Sequence, residues 1–104
     1  MAAQFDVFAN PDKQSSATHP YFVVLQTNSL DRLNTRIVAP LVEPKSLATF
    51  DRLFPEVIVR GTKLVVDVTN IGVVPAKMLT QPILNLETER QRIIAAIDLV
   101  FTGI

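Results

Sequence analysis

The chain has 104 residues, with ten basic and ten acidic side chains, one histidine, no cysteine and 48% apolar residues. That length supports one hydrophobic core, burying roughly 65% of the surface the unfolded chain exposes. Formal neutrality argues against strong nonspecific attraction to phosphate backbones, and the lack of cysteine excludes disulfides and tetrathiolate metal sites.

One domain over residues 1–104 is therefore expected, and the high apolar fraction gives dimerisation further surface to bury. The most apolar windows are too short to cross a bilayer and are interrupted by Pro40, Pro75 or charge. Residues 1–6 lack a basic leader followed by an apolar run, so a soluble, cytoplasmic protein without membrane contact is expected. The sole histidine, His19, reads as a loop or strand-start residue. The scattered carboxylates supply no metal-ligand spacing, and no cofactor is implied.

In chain order, residues 5–8 predict a short first strand ended by Asn10, Pro11 and Asp12, because Pro11 removes a ladder donor. Residues 13–18 form the most polar stretch and predict an exposed loop open to a partner. Residues 21–26 combine aromatic and branched side chains on both faces, the pattern of a central or interface strand. A second long strand is expected over 36–41, with Pro40 placing its far end at an edge or bend. Residues 44–54 space Leu47, Phe50 and Leu53 or Phe54 for a short helical turn over a sheet.

Residues 56–59 and 63–68 predict two antiparallel strands joined at Gly61, which can take the positive φ of a tight hairpin. A turn at Asn70 leads to residues 72–75 and then Met78 and Leu79, an interrupted pattern that suits a short or bent edge strand. Several short strands joined by short loops point to a small, strongly curved sheet or partly closed barrel. The final segment changes its apolar period from two to about 3.6. Asn85 reads as N-cap, and a helix of ~24 Å is expected over 86–101. Ile93, Ile94, Ile97, Val100 and Phe101 would share its apolar side, and Gly103 would close it. The resulting fold class is mainly β with a C-terminal α-helix.

No serine lies in a nucleophile-elbow context, and the three glycines form no nucleotide fingerprint. Arg36, Arg60, Asp67 and Thr69 are available for acid, base and phosphate-stabilising work on RNA, although the plainer expectation for them is solvated sheet-edge polarity. The stronger functional signal is the tail. Asp98 falls beside the apolar stripe near the helix C-terminus, where its charge opposes the dipole, and the helix end with the terminal carboxylate can form one compact surface. Periodicity assigns Phe101 to the core and Ile104 to an interface.

Taken together, Gln4-Phe5, Phe22-Val23, Gln26, Arg36, Val38-Ala39-Pro40-Leu41, Pro55, Val57, Val74-Pro75, Ala96-Ile97-Asp98 and Gly103-Ile104 give the chain a near full-length resemblance to the CcdB toxins. The resemblance implies an SH3-like barrel of the CcdB/Kid/MazF type, assembled as a homodimer. It implies a toxin of a type II toxin-antitoxin module that is not an enzyme. Such toxins bind the breakage-reunion subunit of DNA gyrase and trap the enzyme on cleaved DNA. It also implies a CcdA-like antitoxin as partner, with the toxin acting as a corepressor that meets operator DNA only through the antitoxin; residues 10–18 are a reasonable docking edge.

By the same resemblance, gyrase contacts fall on Ser29, Leu30, Asp98, Phe101, Thr102, Gly103 and Ile104. Three departures stand out. Thr102 and Asp98 occupy positions where the best-known members carry tryptophan and asparagine, and Ser29-Leu30 replaces a pair of isoleucines. Loss of the aromatic platform removes an interaction of ~1 to 3 kcal/mol if fully realised. The runner-up expectation is messenger RNA cleavage of the MazF and Kid kind.

Overall fold

The protein is described by a computed structural model over residues 2–44 and 52–103. The helical turn expected over 44–54 lies mostly outside these residues. Phe54, which is described, is buried with Val42 and Val65 in a small apolar cluster.

Among the described residues, seven strands form one sheet, in the order β4 (Glu56–Val59), β5 (Thr62–Val66), β3 (Thr35–Val42), β2 (Tyr21–Val24), β1 (Asp6–Ala9) and β7 (Leu84–Asn85), with β6 (Gly72–Pro75) paired to β3. Every pairing is antiparallel. The sheet curls into a nearly closed SH3-like barrel whose two edges, β4 and β7, flank a cleft of about 430 Å³. One α-helix occurs among the described residues: α1 (Arg90–Thr102), which follows β7 and lies on the barrel core.

Strand β1 begins one residue later than expected because Phe5 stands at φ +69, outside the β region. A bulky residue there costs about 1 to 3 kcal/mol. Full burial of the ring, worth about 2 to 3 kcal/mol, offsets that cost. The backbone of Phe5 remains engaged: its N–H donates to the Val24 carbonyl at 2.7 Å, and its carbonyl accepts from Leu86 N–H at 2.9 Å.

The β4–β5 hairpin follows expectation. Val59 faces Thr62 across a two-residue turn in which Arg60 (φ +52) and Gly61 (φ +79) are both left-handed, the primed geometry that suits strand twist. Residues 76–78 depart from it: they form a 3-10 turn after β6 instead of a further strand. Asn85 does accept a hydrogen bond at the start of the helical segment, from Glu87 N–H at 2.7 Å. It is not the N-cap, however: Leu86 opens a 3-10 turn over Glu87–Glu89, and Glu89 precedes α1, which starts at Arg90.

The central strands bury side chains on both faces over part of their length. Val7, Val23, Ala39 and Leu41 face the main core with Leu64, Val66, Ile93 and Ala96. Phe8, Val24 and Val38 face a second cluster with Ala2 and Leu79. Arg36 enters this second region with only 4% exposure. Its guanidinium donates to the carbonyls of Ala2, Asp31, Leu33 and Thr35 at 2.7 to 3.4 Å. The solvated role expected for Arg36 is therefore corrected: it ties the exposed chain at residues 31–35 to the N-terminal segment.

Replacing Arg36 with methionine strands those carbonyls and should lower the unfolding free energy by about 3 kcal/mol in urea denaturation. Ile93→Ala should cost a similar amount, about 3 kcal/mol, by opening a cavity between helix and barrel.

Candidate protein-interaction site

Helix α1 is anchored over its first half and projects at its end. Ile93 and Ala96 are fully buried, while Ile94 and Ile97 pack partly against the core. Val100 lies two turns beyond Ile93 on the same side, yet it is 36% exposed. The sheet has therefore ended before the helix does. Phe101 is 72% exposed, which corrects its expected place in the core: the apolar period continues past the surface it could pack on.

The last turn is closed locally. Gly103, at φ +73, donates its N–H to the Leu99 carbonyl at 2.9 Å. The Thr102 hydroxyl donates to the Asp98 carbonyl at 2.6 Å. Asp98, Thr102 and Gly103 are exposed, and the Asp98 carboxylate makes no hydrogen bond or ion pair among the described residues. Asp98, Phe101, Thr102 and Gly103 thus share one exposed helix end, with an aromatic ring beside a carboxylate and a hydroxyl. Ile104 lies outside the described residues.

Ser29 and Leu30 occupy a different place in the chain's fold. Both are exposed, Leu30 at 46%, in a 3-10 turn over Asn28–Leu30. Thr27 Oγ1 accepts from Ser29 N–H, and Gln26 Nε2 donates to the Leu30 carbonyl at 3.1 Å. The turn is tied to the start of α1: Asn28 Oδ1 accepts from Gln4 N–H, and Gln4 Oε1 accepts from Arg90. These bonds attach Ser29 and Leu30 near the first turn of the helix, whereas the other expected contacts gather on its last.

The residues considered for RNA chemistry do not converge. Besides Arg36, Asp67 is buried, and its Oδ1 accepts from both the N–H and the hydroxyl of Thr69. That pair caps a turn over Val68–Asn70. Arg60 sits on the hairpin tip. No group of three or more potential metal-ligating side chains occurs among the described residues.

Periodicity does not single out a second apolar exposure. Ile37 and Val73 face each other across β3 and β6 at 39% and 63% exposure. The signal is present as apolar residues on both faces of β3, but an exposed face and a buried one read alike in such a strand.

The family model described as CcdB protein matches residues 4–103. Comparison with curated proteins gives no significant match. Among the described residues, no helix is long and apolar enough to cross a membrane.

An exposed Phe101 carries little of the folding energy. Phe101→Ser should leave the unfolding free energy within about 0.5 kcal/mol of the parent in urea denaturation.

Proposed function

Because the chain belongs to the CcdB family, we propose that it poisons DNA gyrase by adhesion of its helix tip to the breakage-reunion subunit, holding the enzyme on cleaved DNA. Family membership supports a toxin role in a toxin-antitoxin system. The observation that carries the finer reading is the exposed end of α1, where Phe101 stands 72% in solvent beside Asp98 and Thr102. An apolar centre with a polar rim is the arrangement that binds protein surfaces, and nothing in it requires a bond to be made or broken.

In this reading the toxin is a homodimer, since two symmetric copies present paired tips to a two-fold target. Ser29 and Leu30 contribute a second contact region, and Ile104 extends the tip. Asp98 supplies a charge for a cationic target surface, which offsets part of the stacking energy forgone with Thr102 in place of tryptophan. A CcdA-like antitoxin docks along residues 10–18 and carries the operator contacts itself.

Incubation with gyrase, supercoiled DNA and ATP, followed by detergent and protease, should yield linear DNA only when both proteins are present. RNA cleavage by the toxin alone would instead favour the ribonuclease reading. Deleting residues 102–104 should abolish poisoning while leaving the dimer and antitoxin binding intact, because Thr102 and Gly103 are exposed. Asp98→Asn should weaken gyrase binding at low salt and flatten its salt dependence; an unchanged affinity and slope would remove the charge from the account.

A further inference from the structure

A groove of about 480 Å³ runs between the β4–β5 hairpin tip and the segment that leads into β7. Phe8, Pro11, Met78, Gln81 and Pro82 line it together with Arg60, the one ionised lining residue among the described residues. Met78 is 48% exposed and offers an adaptable apolar wall. Gln81 and the neighbouring Thr80 add polar groups suited to a peptide backbone.

Arg60 is unusual for its position. At φ +52, it holds the first central place of a primed hairpin turn, where asparagine, aspartate or glycine fits with less strain. Its guanidinium makes no hydrogen bond, ion pair or ring contact among the described residues. Turn geometry alone therefore gives no reason for an arginine here, whereas a planar fork of donors at the mouth of a groove suits a carboxylate.

We propose that this groove is a docking site for an acidic linear peptide, with a carboxylate on Arg60 and a neighbouring apolar side chain against Met78. A single cation over a partly apolar floor suits one acidic side chain and gives little purchase on a run of phosphates. The groove is distinct from the exposed last turn of α1, and the inference does not rest on the gyrase reading.

The test is to pan a displayed library of random short peptides on the full-length protein, then measure the enriched peptides in solution. They should carry aspartate or glutamate next to an apolar residue, and changing that acid to its amide should weaken binding about tenfold or more. Arg60→Asn, which keeps a residue tolerant of the left-handed turn, should erase the difference between acid and amide. Met78→Ser should weaken both peptides alike. Backbone amide shifts on binding should centre on residues 8–11, 60 and 78–83. Failure to enrich any peptide, enrichment without acids, equal binding to Arg60→Asn, or shifts centred on residues 98–103 would each overturn the proposal.

Discussion

Strand β3 has to serve two partners along one side, and the rest of the architecture follows from how it does so. Its other side runs continuously against β2, from Val38 opposite Val24 to Leu41 opposite Tyr21. On the shared side, residues 35–38 pair with β6 and residues 41–42 pair with β5. Pro40 stands at the changeover, where a residue without an N–H leaves no ladder donor stranded. Its carbonyl is still used, accepting from Asp67 N–H at 2.9 Å. The divided strand allows one sheet to curl around the main core while a second apolar cluster forms behind it.

The helix is fixed to this frame at its beginning. The Arg90 guanidinium lies 5.4 Å from the centre of the Phe5 ring and also donates to Gln4 Oε1. Arg92 reaches the Glu56 carbonyl at 2.9 Å, linking the helix to the edge strand β4, and forms an ion pair with Glu89. Phe5 is held left-handed by bonds to Val24 and Leu86 while its ring fills the core beneath the helix. A helix held at one end and projecting at the other presents its last turn in a defined conformation. Preorganisation of that kind reduces the ordering cost that any contact made by the exposed aromatic at the tip has to meet.

Much of this was legible in local pattern. Gly61 marked the primed hairpin because a two-residue turn needs positive φ, and Gly103 marked the helix end for a related reason. The two-sided apolar pattern at residues 21–26 correctly announced a central strand, whereas the edge expected from Pro40 does not occur: Pro40 lies inside the continuous β2–β3 pairing, between the stretches of β3 that pair with β6 and β5. The burial of Arg36 was not legible, because charge is visible in a sequence while four converging carbonyls are not. Those acceptors come from residues 2, 31, 33 and 35, and only the folded loop brings them together.

The helix tip draws the line between the two kinds of information. By itself, the sequence determined that an amphipathic helix follows a β domain, that glycine closes it, and that Asp98, Phe101 and Thr102 lie within its last turns. Tertiary structure alone decided that Phe101 faces water while Ile93 does not, and that Ser29 and Leu30 join the helix near its start. Helical period specifies which side chains share a face. How far the sheet beneath extends depends on contacts between distant residues, and that extent decides where the shared face ceases to be core and becomes available surface.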